Sequence, residues 1–114
     1  MLGLLTRVVW ARFARLEVEG VSMVPTFAPG DRVLVLKTRD VSVGDVVAIE
    51  DPQAPQRVLV KRVVGIDRSV VRVEGDNAGA SRDSRHFGPV PRAAVVGRVV
   101  TRYHSPRRYS PERR

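Results

Sequence analysis

Ser22 and Lys61 are the two side chains whose types and surroundings best suit covalent chemistry. Ser22 opens the pentapeptide SMVPT, and Lys61 lies far along the chain in the apolar run VLVKRVV. The chain carries 20 Lys and Arg residues, but only Lys37 and Lys61 are lysines. Arginine stays protonated in proteins, whereas a lysine removed from water can become neutral and accept a proton. The pair is therefore compatible with a serine nucleophile served by a lysine base.

Strand alternation places Lys61 among apolar neighbours. Side chains two positions apart share a face of a strand, so Leu59, Lys61 and Val63 point the same way. Burial there would disfavour the ammonium and lower the pKa of Lys61, as a general base near neutral pH requires. A lysine that points into water from an edge strand, where it blocks edge pairing, fits the same pattern. On the strand pattern alone, we favour this second interpretation.

Ser22 is equally ambiguous until a third segment is considered. A serine beside a proline-containing turn is usually a turn or cap residue. The segment GDNAGASRDSR, from Gly75 to Arg85, concentrates turn formers, acids, serines and arginines in one loop. This loop is either a solvated connector or part of a site. As part of a site, it offers hydroxyl groups to orient a neutral lysine and an Asp–Arg pair to brace the backbone.

Composition limits the other kinds of site. A chain of 114 residues forms one small domain. It has no cysteine, which excludes disulfides and thiolate metal sites. Its two histidines, His86 and His104, are too few for a histidine-rich zinc site. A Ser-His-Asp triad remains open only through one of them.

The formal net charge of +8 raises the question of an anionic partner. Nucleic acid and an anionic membrane surface would both suit such a charge. We favour a simpler interpretation, because arginine is dispersed along the whole chain and clusters only between Arg102 and Arg114. That end has the composition of a disordered, solvated tail. A non-catalytic basic β module that binds nucleic acid is an alternative function. We expect no nucleic acid partner, because the strands lack the aromatic residues on which bases stack.

Residues 1–16 predict a short amphipathic helix. Its apolar stripe has helical spacing and consists of Leu2, Leu5, Val9, Phe13 and Leu16. Arginines interrupt the apolar run before it could span a bilayer, and no small-residue cleavage site follows it. The helix therefore either docks on the core of the protein or lies on a membrane surface, and both interpretations stay open.

From Leu16 onward the pattern is one strand after another, separated by turn residues. We predict six strands, over Leu16–Val21, Arg32–Lys37, Asp45–Glu50, Val58–Ile66, Val70–Glu74 and Val95–Tyr103. The loop DRS at 67–69 is short enough for a β-hairpin. Abundant valine and scarce aromatic residues suit an aliphatic β core. The predicted fold is mainly β, a small antiparallel sheet that is coiled or folded into a partly closed barrel.

Together these segments resemble the conserved boxes of type I signal peptidases. The matching residues are the box SMxPT at Ser22, the pair Lys61-Arg62, and the box GDN at Gly75 with SxDSR following at Ser81. Gly44-Asp45 fits a further Gly-Asp turn of the family. The resemblance runs from about Glu17 to Val100. It implies a coiled antiparallel β fold and hydrolysis of peptide bonds with no cofactor and no metal.

The resemblance assigns a role to each matching residue. It makes Ser22 the nucleophile and Lys61 the base that takes the proton of Ser22 and later returns it to the leaving amine. Ser81 matches the serine whose hydroxyl orients the lysine amine. Asp83 and Arg85 match the pair that supports the site.

The same resemblance makes the backbone N–H of Ser22 one donor of an oxyanion hole. Some family members add the side chain of a serine two residues before the nucleophile. Gly20 occupies that position here, so no second donor is assigned. One such donor contributes about 2.7–4 kcal/mol of transition-state stabilisation.

The chain is shorter than ordinary signal peptidases. Roughly 20 residues separate Lys61-Arg62 from Ser81, which leaves no room for a large inserted β domain. Such a minimal enzyme resembles the nickel-type superoxide dismutase maturation proteases, which remove a short N-terminal extension. We therefore expect an amphipathic segment over 1–16, a Ser/Lys peptidase domain over 17–103 and a basic tail over 104–114.

The resemblance also predicts the partner and the location. The expected partner is a precursor protein with an N-terminal leader, and any nickel would belong to that substrate. We expect a cytoplasmic protein, with weak peripheral membrane contact left open. The alternative is a membrane-associated signal peptidase that processes secreted preproteins.

Overall fold

The computed structural model describes residues 12–106 of the chain. Within this range the chain forms seven strands, which are β1 (Phe13–Glu17), β2 (Arg32–Leu36), β3 (Val46–Asp51), β4 (Ala54–Asp67), β5 (Val70–Glu74), β6 (Val90–Pro91) and β7 (Val95–His104). The helical elements there are short: the 3₁₀ turns Ala78–Ala80 and Arg92–Ala94, and the helix α1 (Ser84–Phe87). None of the helices between residues 12 and 106 has the length and hydropathy needed to cross a membrane.

The seven strands form one antiparallel sheet. Their order in the sheet is β1-β2-β7-β3-β4-β5-β6, and β1 and β6 are the two edges. Register shifts interrupt the pairing of β2 with β7, of β3 with β7 and of β4 with β5. Such bulges bend the strands and increase their twist. The predicted mainly β, antiparallel fold is confirmed, and the sheet is open rather than closed into a barrel.

The core is aliphatic and lies on both faces of β3. Val47 and Ile49 point into one cluster, and Ala48, between them, points into the other. All three are at most 1 % exposed. The remaining buried members are all valines: Val41, Val63, Val71, Val73, Val90 and Val95 in the first cluster, and Val18, Val33 and Val35 in the second. Branched side chains pack well on a pleated surface, which accounts for a core with so few aromatic residues.

Only the last residues of the predicted N-terminal helix, which covers 1–16, lie in the described range. Residues 13–16, which we predict as its last turn, instead form most of β1, so the prediction is wrong there. Ala14 and Leu16 alternate along this strand and pack against the second cluster, while Arg15 between them is exposed. Pairing of β1 with β2 supplies the hydrogen bonds that the helix would have made. The predicted residues 1–11 lie outside the described range, as do residues 107–114 of the predicted tail.

Strand β4 carries Lys61 and is longer than the sequence indicates. It begins at Ala54, because a tight turn at Pro52 and Gln53 joins it directly to β3. It pairs with β3 as far as Arg62 and with β5 only from Arg62 onward. Residues 54–61 therefore have one free edge among the described strands. At the other end of β4, Asp67 pairs with Val70, which confirms the predicted hairpin.

Candidate active site

Lys61 is buried in the face of β4 that points to the core. Its exposed fraction is 4 %, and that of Val63 on the same face is 1 %. The amine Nζ donates a hydrogen bond to Ser81 Oγ over 2.9 Å. The interpretation of Lys61 as a solvated edge-strand lysine is therefore wrong. The alternation of apolar neighbours correctly grouped Lys61 with Val63 on one face of the strand, but on that pattern alone we favoured the exposed position.

The loop after β5 builds a hydrogen-bonded chain behind the lysine. Ser81 Oγ donates to Asp83 Oδ2 over 2.5 Å, and the backbone N–H of Gly75 donates to the same oxygen over 2.7 Å. The guanidinium of Arg85 donates to both carboxylate oxygens of Asp83, over 2.9 and 2.6 Å. Asp83 is fully buried and also caps the N-terminus of α1. The structure thus brings Lys61, Ser81, Asp83 and Arg85 into one connected group.

The surroundings of Lys61 favour its uncharged form. Burial lowers the pKa of Lys61 below its ordinary value of 10.5; the carboxylate of Asp83 opposes that shift, and nearby Arg82 and Arg85 add to it. Burial alone would raise the pKa of Asp83, but hydrogen bonds from Arg85, Ser81 and Gly75 outweigh it and hold the pKa well below the usual range. Because Arg85 already matches the charge of Asp83, the carboxylate does not require a charged Lys61 as its partner.

Ser22 and Lys61 line the same cleft. Its volume is about 300 Å³, and its walls are formed by residues 16–19 on one side and 57–61 on the other. Ser22 is half-buried. Its hydroxyl makes no hydrogen bond to Lys61 or to any other residue between 12 and 106. Catalytic hydrogen bonds are often long or absent in a free enzyme and form when substrate binds.

The turn that carries Ser22 is fixed by a buried side chain next to Ser22 and by hydrogen bonds from the loop after β5. Met23 is 1 % exposed and anchors the turn in the protein. The backbone N–H of Asn77 donates to the carbonyl of Ser22 over 2.8 Å, and the Asn77 side-chain amide donates to the carbonyl of Val21 over 3.1 Å. The backbone N–H of Ser22 has no acceptor among the described residues, so it is free to donate to a ligand.

A second network ties the Ser22 turn to the lysine strand, and we did not predict it from sequence. The guanidinium of Arg62 donates to both carboxylate oxygens of Asp76, over 2.9 and 2.8 Å, and to the carbonyl of Gly44 over 2.7 Å. Thr26 completes the network, since its hydroxyl donates to Asp76. The hydrogen bond from Arg62 is the main reason that the pKa of Asp76 is lowered. The available signal was that each member lies in one of the segments that match the signal peptidase boxes.

Gly75 was also missed as a functional position. An ideal Cβ placed on it would lie 2.6 Å from the Cβ of Ser81 and 2.7 Å from the carbonyl oxygen of Ser22. Real Cβ atoms do not approach other atoms this closely. Glycine therefore allows the backbone after β5 to pass between the two serines.

The two histidines lie elsewhere. His86 is in α1, where its ring accepts a hydrogen bond from the backbone of Asp83, and its side chain is 58 % exposed. His104 is exposed at the end of β7. Neither lines the cleft that holds Ser22 and Lys61.

Comparison with known proteins gives a consistent result. The family model described as "Signal peptidase, peptidase S26" matches residues 1–74 and 70–104. The chain is 36 % identical to the mitochondrial ATP-independent inner membrane protease subunit 1a of Arabidopsis thaliana, over 79 % of this chain and 70 % of that protein. It is 34 % identical to the mitochondrial inner membrane protease subunit 2 of Schizosaccharomyces pombe, over 73 % of this chain and 60 % of the relative. It is 33 % identical to the mitochondrial inner membrane protease subunit 2 of Danio rerio, again over 73 % of this chain and 60 % of the relative. The chain thus spans less than two thirds of both subunit 2 relatives.

Proposed function

We propose that this chain, which belongs to the peptidase S26 family of signal peptidases, is a serine endopeptidase that removes an N-terminal leader from a precursor protein. The observation that carries the proposal is the buried Lys61, whose amine donates to Ser81 and which lines the same cleft as Ser22. In the proposed dyad, Ser22 is the nucleophile and Lys61 is the general base. Ser81 orients the amine, and Asp83 with Arg85 supports Ser81.

The proposed reaction proceeds in two steps. Neutral Lys61 accepts the hydroxyl proton of Ser22 as its Oγ attacks the carbonyl carbon of the scissile bond. The C–N bond then breaks, the leaving amine takes the proton from Lys61, and an ester links the substrate to Ser22. Lys61 next takes a proton from a water molecule as that water attacks the ester. The ester C–O bond then breaks, Ser22 Oγ takes the proton back from Lys61, and the leader leaves with a free carboxyl group. The backbone N–H of Ser22 stabilises the oxyanion in both steps.

The free edge of β4 is the proposed binding place for the substrate backbone. Residues 54–61 pair with no described strand on that edge, and residues 57–61 line the cleft. An extended peptide can add to such an edge as a further strand, with its backbone hydrogen bonds giving affinity. This arrangement would bring a scissile bond towards Ser22 and Lys61 at the end of the cleft.

The resemblance to the small maturation proteases suggests a nickel superoxide dismutase precursor as the substrate, with the metal bound only by the processed product. Processing of secreted preproteins at a membrane is the second candidate. The names of the relatives, which are inner membrane proteases, favour the membrane location alone. A cytoplasmic location and a peripheral membrane contact stay predictions.

The proposed function is tested by mapping new N-termini. Purified protein is incubated with unfolded precursor proteins, including a nickel superoxide dismutase precursor, and new N-termini are identified by mass spectrometry. We expect a small set of cleavage sites close to the original N-termini, all absent with Ser22→Ala. Cleavage that is equal with the variant, or no cleavage by the wild type, would contradict the proposal.

We expect activity to rise with pH through the pKa of Lys61, below its ordinary value of 10.5. Protonated lysine cannot act as a base, so kcat/KM falls on the acid side of that pKa. Between the folded and ordinary pKa values the unfolded chain binds more protons, so stability should rise with pH over that interval. Because the chain has only two lysines, NMR titration of ¹³C-labelled lysine reads the pKa directly, and Lys37→Arg assigns the signals. An ordinary pKa for Lys61 would contradict the base assignment.

Gly75→Ala should reduce cleavage without removing any functional group. The added methyl group would press on Ser81 and the carbonyl of Ser22. A displacement of about 1 Å in a catalytic group can lower the rate by about 100-fold. Gly79→Ala is the matched control, because a Cβ on Gly79 meets no atom within 4 Å. The measurement compares kcat/KM of both variants and the wild type, and normal activity of Gly75→Ala would show that the serines tolerate the shift.

A further inference from the structure

Arg82 lies between two residues of the proposed site but points away from them. Ser81 and Asp83 both have extended backbone angles. In an extended segment alternate side chains share a side, so Ser81 and Asp83 meet each other and Arg82 projects to the opposite side. There its guanidinium donates to Asp51 and, over 3.0 Å, to Gln53 Oε1. The same guanidinium lies 5.6 Å from the ring centre of Phe87.

Asp51 connects Arg82 to the hairpin between β3 and β4. Its carboxylate accepts one hydrogen bond from Arg82 and another, over 2.9 Å, from the backbone N–H of Gln53 within the turn. Asp51 is 1 % exposed, so the carboxylate of the ion pair is shielded from water. Burial by itself would raise the pKa of Asp51, and the hydrogen bonds from Arg82 and Gln53 lower it. One buried carboxylate therefore closes the turn and holds the loop of the site.

The hairpin thereby fixes both partners of the 2.9 Å contact between Lys61 and Ser81. Lys61 is attached to the hairpin through β4, which begins at Ala54 immediately after the turn. Ser81 is attached through its neighbour Arg82. We propose that Arg82 is a positioning residue of the peptidase, which holds the Ser81 hydroxyl against the Lys61 amine by tying its loop to Asp51. The inference rests on the proposed function, since it concerns the same site.

The charges around Lys61 agree with this role. The groups that act on its amine are Asp83 and Arg85 of the loop, Arg82 next to Ser81, and Asp51 of the hairpin. Arg82 lowers the pKa of the lysine and Asp51 raises it, both less strongly than burial does. Loss of Arg82 removes a positive charge and loosens the loop that holds Ser81, which would let water reach the buried amine. Each change should raise the pKa of Lys61.

The test compares Arg82→Ala, Arg82→Lys, Asp51→Asn and the double variant Asp51→Asn/Arg82→Ala. The substrate is an internally quenched peptide spanning the junction found by N-terminus mapping. We expect Arg82→Ala and Asp51→Asn each to lower kcat by about 10- to 100-fold, with KM nearly unchanged, because the cost arises from misplacement rather than binding. The double variant should be no worse than the poorer single variant, since both act through one contact.

Two further measurements separate positioning from charge and from stability. Arg82→Lys keeps the positive charge but loses the guanidinium that donates to both Asp51 and Gln53, so kcat should stay reduced. The pKa of Lys61, read by lysine NMR, should stay closer to that of the wild type. In Arg82→Ala that pKa should rise. Arg92→Ala is the matched control, because Arg92 ties two segments away from the cleft by donating to the carbonyl of Arg39 over 2.8 Å.

The outcomes distinguish this inference from the proposed function. Arg82 variants that melt at lower temperature but keep normal kcat would overturn the positioning role, as would full activity of Arg82→Lys. Additive losses in the double variant would do the same. If instead Ser22→Ala cleaves as well as the wild type, the proposed function itself fails, whatever Arg82 does.

Discussion

Replacing Ser22 with alanine should abolish cleavage, lowering kcat by about 10⁶-fold, the loss found when a serine protease loses its nucleophile. The change removes one hydroxyl, on a residue that lines the cleft, and this hydroxyl makes no hydrogen bond to the described residues. The turn around it is held by other groups, namely buried Met23 and the amide donors of Asn77. Folding should therefore be preserved, which thermal melting followed by circular dichroism would check.

Ser69→Ala provides the control for that experiment. Ser69 is exposed in the hairpin between β4 and β5, away from the cleft, so its loss should leave kcat unchanged. Retention of more than a small fraction of the activity by Ser22→Ala would show that another group is the nucleophile. Equal losses in both variants would indicate a general effect on the protein rather than on the chemistry.

Replacing Lys61 with arginine should be nearly as damaging. Arginine keeps the positive charge but cannot release its proton at any working pH, so it cannot act as the base. The larger guanidinium must also fit a position that is only 4 % exposed, which can disturb folding. Lys61→Met avoids this difficulty, because methionine has a similar length and no charge to bury. We expect both variants to lose activity and Lys61→Met to melt no lower than the wild type.

The second lysine supplies a matched control. Lys37 is exposed just after β2, and Lys37→Arg and Lys37→Met should both retain normal activity. The measurement is kcat for the four variants on one peptide, with circular dichroism to confirm folding. Near-normal activity of folded Lys61→Met would remove the lysine from the mechanism. His86 is then a poor replacement, because it caps α1 and does not line the cleft.

The sequence predicted those features of the fold that depend on residues close to one another along the chain. The alternation of apolar residues around Lys61 correctly grouped it with Leu59 and Val63 on one side of the strand, because a strand repeats every two residues wherever it lies. Whether that side is buried depends on the assembled sheet, and the pattern alone favoured an exposed lysine. The DRS loop gave the β4–β5 hairpin for the same local reason. The helix prediction was wrong at residues 13–16, because a short run of mixed apolar and polar residues fits both a helical and a strand period. Pairing with β2, more than fifteen residues later, decides between them.

Contacts between distant segments could not be predicted in this way. Arg82 and Asp51 are 31 residues apart, and the residues around each of them do not indicate that the two would form an ion pair. Their pairing depends on where the hairpin ends relative to the loop after β5, which is a property of the assembled sheet. Gly75 is similar, since its importance comes from the carbonyl of Ser22, which reaches it only in the folded chain.

The buried acids and the buried lysine respond to pH over separate ranges. Burial alone would raise the pKa values of Asp31, Asp51 and Asp83, yet hydrogen bonds to their ionised forms outweigh it and lower all three. Their contribution to stability is present above about pH 3.8 and is lost only as pH falls through these lowered values. Lys61 is neutral only above its own pKa, which burial lowers from 10.5. If Lys61 is the proposed base, the protein between these two ranges is folded but inactive, so acidification that spares the acids would switch cleavage off reversibly and a rise in pH would restore it without refolding.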